Sequence, residues 1–504
     1  MRDRTATAMR DEETGRRPGG PGDGYPHGAP LPQGPGSDRR RHWLTAVALA
    51  SCLGLVSGGV ALIRTPDDAA RTVAAAPAPE DPQGPLSADT SMPVVTDLTS
   101  TAGLEAGVAA DFDPMPYAAV NRAAASSSQV TAKDINAALA RRTTALRKRD
   151  EKAFLATFDP AQPRLLATQR VLFGNLTKLP LVTPVYRAYG IGGSASAKKA
   201  QVALLHQIKG VDSEAVELSK IEKWVRRKGT VVTTAVSPVA GQPVTRYAPL
   251  DLAPLTVRNG PLVTVVGSAD SDLEGLATTA EKAAAAVRAT WGTRPGPTRF
   301  VIFASHDPKS LFTWFGAKDS PGQAIAVAMP QVAVNHQTKI GGARVVVDLS
   351  RTPGEQLDRV LRHEFTHAVN VRTQVLSART GAPSYPVWAE EGLASWIEEQ
   401  DLPLEESPRA RDLRSFRRYW NRTIPPATRA AFYAGGDRGS YHYDASSMLF
   451  RYVGERWGTA KAISFYSALA AGNTKGAWKV LGTDQASFVK AWSGWVDDKV
   501  LSKE

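Results

Sequence analysis

The chain has 504 residues, enough for two or three domains, and a formal net charge of +12. The charge is spread along the chain, and no zinc finger, phosphate-binding loop or interleaved aromatic and basic stripe accompanies it, so nucleic acid is not an expected partner. A single cysteine excludes a small domain held together by disulfides.

The amino-terminal residues predict a membrane anchor. Residues 1–42 are rich in Gly, Pro and Arg and predict a disordered cytoplasmic tail. Residues 43–63 form an uncharged run that is long enough to cross a bilayer as a helix. Arginines at 39–41 precede this run, whereas only Arg64 follows it closely. The positive-inside rule therefore predicts a single-pass protein of the cell membrane whose later domains are extracytoplasmic.

A lipid anchor is the alternative to the transmembrane helix. The segment Leu49-Ala50-Ser51-Cys52 fits a bacterial lipoprotein cleavage box. The uncharged run continues without a break to Ile63, which favours the helix. Both interpretations place the later domains outside the cell, at the membrane. Residues 64–130 are rich in Ala, Pro, Ser and Thr and predict a flexible linker.

Residues 131–250, called the first domain below, predict an α+β fold. Apolar spacing after Thr131 predicts one or two helices, followed by another helix that Pro180 stops. Strands are predicted at residues 182–189, 201–208, 215–225 and 230–237. Helices followed by a curved antiparallel sheet resemble the cone-shaped nuclear-transport-factor-2-like domains. That resemblance implies either a domain that acts as a spacer or guides substrate, or a polar pocket for a ligand.

Residues 255–504, called the second domain below, also mix strands and helices. Strands are predicted at 262–266, 298–304, 323–328 and 343–349. Helices are predicted at 272–291, 308–316, 353–372, 388–400, 444–457, 459–470 and 484–500. The predicted fold class of the whole chain is α+β, with a cone-like first domain and a second domain that carries the chemistry discussed next.

The sequence HEFTH, residues 363–367, lies inside one of these predicted helices. Four residues apart on a helix, His363 and His367 lie on one face, about 6 Å apart along the axis, so both can reach one metal ion. Neutral imidazole suits zinc, and a catalytic zinc needs three protein ligands and an open position for water. Glu391, on the next predicted helix, offers the third ligand.

Residues 363–396 resemble the gluzincin metallopeptidases. The segment WAEEGLASW at 388–396 matches the W-x-x-E-G-x-A-x-aromatic pattern of the helix that supplies their third zinc ligand. From about residue 255 onward, the chain is similar to the bacterial peptidase-MA-like domains. The resemblance implies a zincin-type metallopeptidase domain that acts on a peptide or protein substrate. It places zinc on the ligand set His363, His367 and Glu391, and the general base on Glu364.

The implied mechanism hydrolyses the peptide bond with water that zinc activates, while Glu364 takes the proton of this water and passes it to the leaving amine. The tetrahedral oxyanion needs a second stabiliser besides zinc. Related enzymes place a Tyr near the point that residues 440–444 occupy here, so Tyr443 is the first candidate and Tyr441 the second. His442 is also open, and aromatic packing at a helix start is the alternative for both tyrosines.

Two other functions remain open at this stage: a non-catalytic envelope protein that binds a ligand on a zincin fold, and a zinc hydrolase of a non-peptide bond. Successive helix residues point about 100° apart, so Glu390 is expected on the solvated surface or beside the ligands rather than among them. The arginines crowded between 409 and 422 could attract an acidic substrate or an anionic lipid surface, but a solvated helix face is the favoured interpretation. The sequence does not indicate an oligomeric state.

Overall fold

The computed structural model describes residues 129–239, 250–251, 253–268, 271–307, 325–334, 339–352, 354–370, 385–433 and 435–502. The predicted tail at 1–42, the membrane run at 43–63, nearly all of the linker at 64–130 and the predicted helix at 308–316 lie outside these residues. Within the described ranges, no helix is both long and apolar enough to span a bilayer. The fold of the described chain is α+β, as predicted.

The first domain packs helices against a four-stranded antiparallel sheet with the strand order β1-β2-β3-β4. Its helices are α1 (Ala132–Lys148), α2 (Glu151–Leu155) and α3 (Pro163–Lys178). Its strands are β1 (Leu181–Gly193), β2 (Ala197–Ile208), β3 (Val216–Arg227) and β4 (Thr230–Pro238). All four predicted strands are confirmed, because alternation of apolar and polar residues marks strands that have one face in a core.

A buried ion pair lies inside the first domain. The guanidinium of Arg142 donates to Glu222 at 2.7 Å and to Thr233 at 2.9 Å, and the arginine is only 1% exposed. The Trp224 ring lies 5.3 Å from this guanidinium. A pocket lined in part by Arg142 and Glu222 adjoins the pair.

The second domain is built on a five-stranded sheet with the order β5-β6-β7-β9-β8. Strands β6, β7 and β9 are parallel, whereas β5 and β8 run antiparallel to their neighbours at the two edges. The strands are β5 (Thr256–Asn259), β6 (Val263–Gly267), β7 (Phe300–Ser305), β8 (Ala326–Val332) and β9 (Ile340–Asp348). The short strand β5 was not predicted, because four residues are too few to show a period.

The helices of the second domain follow most of the predicted ranges. They are α4 (Leu273–Trp291), α5 (Gly354–Asn370), α6 (Val387–Glu398), α7 (Pro408–Ser415), α8 (Arg429–Phe432), α9 (Gly436–Trp457), α10 (Thr459–Ala470), α11 (Thr474–Val480) and α12 (Gln485–Val496). The predicted start at residue 444 is wrong for α9. Gly435, at φ 87°, precedes the helix, so residues 440–444 lie inside it rather than before it. Helices α7, α8 and α11 are too short to have been predicted.

The sheet of the second domain is covered on both faces. Side chains alternate along a strand, so Val265, Ile302 and Val345 join the core that includes α4 and α5. The opposite face belongs to the core of the first domain. It consists of Val266, Val301, Phe303, Val327, Met329 and Val346. The first domain therefore replaces the layer of helices that would otherwise cover this face.

The segment that follows β2 fastens the two domains together. Asp212 accepts two hydrogen bonds from Arg344 of β9, at 2.6 and 2.8 Å, and the amide of Ser213 donates to the Gly341 carbonyl at 2.7 Å. A Cβ at Gly342 would lie 2.0 Å from the Asp212 carboxylate. Glycine at this position therefore permits the close approach of the first domain.

Candidate metal centre

Helices α5 and α6 bring the three predicted ligands together. The Nε2 atom of His363 lies 3.4 Å from Oε2 of Glu391, and Nε2 of His367 lies 3.5 Å from the same oxygen. The three ligand atoms lie within 4.8 Å of one another. A tetrahedral ion with bonds of about 2.1 Å holds its ligand atoms about 3.4 Å apart. This buried group could therefore hold a metal ion.

The donor atoms lack other partners. Nε2 of His363, Nε2 of His367 and Oε2 of Glu391 are buried and make no hydrogen bond. Buried polar atoms in proteins are normally satisfied. An ion bound among these three atoms would satisfy all of them, so the residues fit a metal with nitrogen and oxygen ligands.

The electrostatics of the cluster also favour a cation. Burial lowers the pKa of His363, but the nearby carboxylates of Glu391 and Glu398 outweigh burial and raise this pKa to about 10. Burial raises the pKa of Glu391, but the imidazoles of His367 and His363 outweigh it and hold this pKa well below its usual value. Positive charge is therefore stabilised at the point where the ligand atoms meet.

Local packing explains how α6 brings Glu391 to the histidines. All twelve residues of α6 are buried. A Cβ at Gly392 would lie 2.7 Å from the Ser446 carbonyl and 2.9 Å from the Phe450 ring, both in α9. A glycine directly after the ligand therefore lets α9 press α6 towards α5.

Glu364, the predicted base, lies on the same helix as the two histidines and is fully buried. Both of its carboxylate oxygens lack a hydrogen-bond partner. Burial raises its pKa, and the positive charge of the neighbouring histidines partly opposes this rise. A raised pKa suits a carboxylate that must accept and then release a proton near neutral pH.

A carboxylate also lies near the Nδ1 atom of each histidine, on the side of the ring away from Glu391. Nδ1 of His363 donates to Oε2 of Glu398 at 3.2 Å. Nδ1 of His367 lies 3.7 Å from Oε1 of Glu390. Arg429 donates to Glu390 at 2.8 Å. Of the two interpretations of Glu390, the place beside the ligands is confirmed and the solvated surface is wrong.

The tyrosine that bonds to a ligand is Tyr433, which the sequence did not indicate. Its hydroxyl donates to Oε1 of Glu391 at 2.6 Å. It directly follows α8, and the adjacent Phe432 carbonyl accepts a hydrogen bond from Nδ1 of His442 at 2.8 Å. Forty-two positions separate Tyr433 from Glu391, and no motif links them. The only local signal was an aromatic residue shortly before Gly435 and its helix start.

The two predicted tyrosines lie on different sides of α9, since residues two positions apart on a helix point about 200° apart. The Tyr441 ring lies 6.1 Å from that of Tyr419. The Tyr443 ring is buried and lies 6.0 Å from that of Tyr433. Tyr443 thus packs beside the tyrosine that touches the ligand. The oxyanion role assigned to Tyr443 or Tyr441 stays a prediction.

Arg409 does not belong to a solvated helix face. Arg417, Arg418 and Arg422 are exposed, but Arg409 is 1% exposed and its guanidinium lies 2.9 Å from Glu398. The interpretation of the arginine cluster is therefore wrong for this one residue. Arg409 is buried because it pairs with a carboxylate of another helix. The composition of its own segment cannot reveal such a partner.

Comparisons of the chain with family models, with curated proteins and with solved structures give no match. The geometry of the site and the sequence motifs are therefore the basis of the functional assignment.

Proposed function

We propose that this protein is a zinc metallopeptidase that acts outside the cell membrane. The observation that carries the proposal is the convergence of three buried, unsatisfied ligand atoms beside the buried carboxylate of Glu364. The gluzincin resemblance at 363–396 supports the reaction class. The anchor at 43–63 and the extracytoplasmic location rest on the sequence.

Each residue of the site has a separate role in the proposed hydrolysis. His363, His367 and Glu391 would hold the ion. Bound zinc supplies a Lewis acid that lowers the pKa of water towards about 7 and polarises a carbonyl group. Glu364 takes the proton of the attacking water and delivers it to the leaving amine. Tyr433 keeps the second oxygen of Glu391 hydrogen-bonded, which holds the ligand in one orientation.

The sheet edge supports a peptide as the substrate. Among the described strands, β8 lies at the edge and has only β9 as a neighbour. The helix that carries Glu364, α5, packs against this strand. An extended peptide can add to such an edge by backbone hydrogen bonds. This arrangement would lay the scissile bond next to the base.

The presence of Glu364 in this position argues against a protein that only binds a ligand. A carboxylate buried without a hydrogen bond destabilises the fold. Binding alone does not require a proton acceptor beside the metal ligands, whereas hydrolysis does. A non-peptide substrate is a possible outcome of the experiment below.

The test compares full-length wild-type protein with Glu364→Gln, both purified in detergent. We expect about one zinc per chain in both proteins, because Glu364 is not a ligand. Cleavage of an unbiased peptide library should fall by about 10²–10⁴-fold in the variant, the usual contribution of a general base. The matched control is Glu274→Gln, which alters an exposed carboxylate in the first turn of α4.

Two results would contradict the proposal. Less than a tenth of an equivalent of zinc in the wild-type protein after zinc-supplemented expression would exclude the metal site. Wild-type cleavage by Glu364→Gln would exclude the assigned base. If the protein binds zinc and cleaves a non-peptide ester or amide but no peptide, the proposed activity would change from peptidase to another zinc hydrolase.

A further inference from the structure

Arg409 lies at the junction of three helices behind the metal centre. From the first turn of α7, its guanidinium donates to Glu398 of α6 at 2.9 Å and to Asp444 of α9 at 3.4 Å. Its backbone amide donates to Glu399 at 3.3 Å. The guanidinium also lies 5.9 Å from the Tyr443 ring. One buried cation thus connects the ends and faces of α6, α7 and α9.

The bond between Arg409 and Glu398 bears directly on a metal ligand. The Oε2 atom of Glu398 accepts from Arg409 and also from Nδ1 of His363, at 3.2 Å. An ionised carboxylate can only accept, so Nδ1 of His363 carries the hydrogen in this arrangement. A metal ligand must be a neutral imidazole, and the lone pair of His363 is then on Nε2, the atom that faces Glu391. The position of this one oxygen therefore determines the tautomer and the ring orientation of the ligand.

We propose that Arg409 is a positioning residue of the metal centre: through Glu398 it orients His363, and so it sets the affinity of the site for its metal. The inference rests on the proposed metal site and is independent of whether the bound metal hydrolyses peptides.

The charges around Arg409 explain why a neutral residue would not replace it. Glu398, Glu399 and Asp444 are all buried within reach of this one guanidinium. Without this guanidinium, the carboxylate of Glu398 would be buried with no arginine beside it, which is strongly destabilising. Lysine would restore the charge, but it lacks the planar fork that lets arginine donate to two carboxylates at once.

The second histidine is held differently. The separation of 3.7 Å between Nδ1 of His367 and Oε1 of Glu390 exceeds the range of a hydrogen bond. The guanidinium that pairs with Glu390 belongs to Arg429, which is partly exposed. Glu398 therefore lies closer to His363 than Glu390 does to His367, and the arginine that pairs with Glu398 is the more deeply buried one. Metal affinity should depend more strongly on Glu398 than on Glu390.

The experiment measures the zinc dissociation constant of the full-length protein by competition with a chromophoric chelator. We expect Arg409→Lys and Glu398→Gln each to weaken binding by about 10–100-fold, the usual effect of a partner of a ligand histidine. Glu390→Gln should weaken binding less than Glu398→Gln. The matched control is Arg142→Lys, since Arg142 is as buried as Arg409 and also pairs with a glutamate, but lies in the first domain. It should leave the constant within about twofold of the wild type, because structural burial alone does not alter the site.

The double variant Arg409→Lys/Glu398→Gln tests whether Arg409 acts through Glu398. If it does, the double variant should bind zinc no more weakly than Glu398→Gln alone. The absorption spectrum of the cobalt-loaded Arg409→Lys protein should also differ from that of the wild type, because the ligand field changes when His363 moves.

Wild-type affinity in Arg409→Lys, or additive losses in the double variant, would overturn the inference. An equal loss in Arg142→Lys would overturn it too, by showing a general loss of stability. A wild-type protein that binds no zinc would instead refute the proposed function.

Discussion

Each glutamate of α6 near the metal centre has a particular partner from a later segment. Glu390 pairs with Arg429, Glu391 accepts from Tyr433, and Glu398 pairs with Arg409. Burying a charge costs several kcal/mol unless it is paired, and a paired charge is seldom more stabilising than an apolar residue. Arg429 and Arg409 offset the charges of Glu390 and Glu398, so the carboxylate of Glu391 is the one that the proposed cation would balance.

Tyr433→Phe tests the hydroxyl that the structure places on the ligand. The 2.6 Å bond to Glu391 joins a hydroxyl to a charged group, and such bonds contribute about 1.5–3 kcal/mol. We expect zinc affinity or turnover to fall by at least about tenfold. Measured kcat, KM and zinc content separate the two effects. Tyr452→Phe serves as the control, since Tyr452 is buried and its ring packs against Phe488 and Trp495. An equal loss in that variant would contradict the role of Tyr433.

At the scale of elements, α6 and α9 approach each other through reciprocal glycines. Gly392 of α6 lies against Ser446 of α9, and Gly454 of α9 lies against Trp396 of α6, where a Cβ would meet the indole ring at 2.5 Å. The contact is close at both ends of the helix pair. This packing holds Glu391 within 3.4 and 3.5 Å of the two histidines.

Gly392→Ala should therefore move α6 and weaken the site. A methyl group 2.7 Å from a carbonyl oxygen is overpacked, and we expect a loss of about 1–3 kcal/mol in the free energy of unfolding. Zinc affinity should fall with it. Urea denaturation and chelator competition measure the two effects.

Gly494→Ala is the matched control, since Gly494 lies within α12 and a Cβ there would contact nothing within 4 Å. Alanine is the better helix former, so this variant should gain about 0.5–1 kcal/mol in the free energy of unfolding. Gly392→Ala with the stability and zinc affinity of the wild type would show that the helix pair tolerates a wider spacing.

At the scale of the whole molecule, the first domain supports the sheet of the second domain. It covers the face that includes Phe303 and Met329, and Asp212 binds Arg344 of β9. Strand β9 is flanked by β7 and by the edge strand β8. The first domain therefore shares a core with the sheet of the second domain.

This junction predicts a dependence of stability on pH. His206 of β2 is buried near Arg344 and Asp212, and burial, followed by the positive charge of Arg344, lowers its pKa to about 4. In the unfolded chain its pKa is about 6.5. Protonation therefore favours unfolding, so stability present above pH 6.5 declines as the pH falls towards 4, by up to about 3 kcal/mol.

The check is urea denaturation between pH 7.5 and 4.5, in the presence of a chelator, for wild type and His206→Gln. As the pH falls, the free energy of unfolding of the wild type should decrease more than that of His206→Gln, because the variant has no imidazole to protonate. Parallel curves over this range would show that His206 does not titrate in the way we expect.

The sequence by itself determined the positions of most long helices and strands and selected the residues His363, His367 and Glu391, which the structure brings together as a group that could hold a metal ion. These features are local or nearly so. A helical period repeats within one segment, and a spacing of four residues places both imidazoles on one face whatever surrounds the helix. The WAEEGLASW pattern at 388–396 pointed to Glu391, which the structure places beside both histidines.

Only the tertiary structure decided which groups surround those ligands. Glu398 meets His363 across 35 positions, Tyr433 meets Glu391 across 42, and Arg344 meets Asp212 across 132. Such contacts depend on how helices and sheets pack, and packing leaves no periodic trace in the residues that make the contact. The same holds for Arg409, which composition assigned to a solvated face and which lies buried because α6 and α9 bring their carboxylates to it.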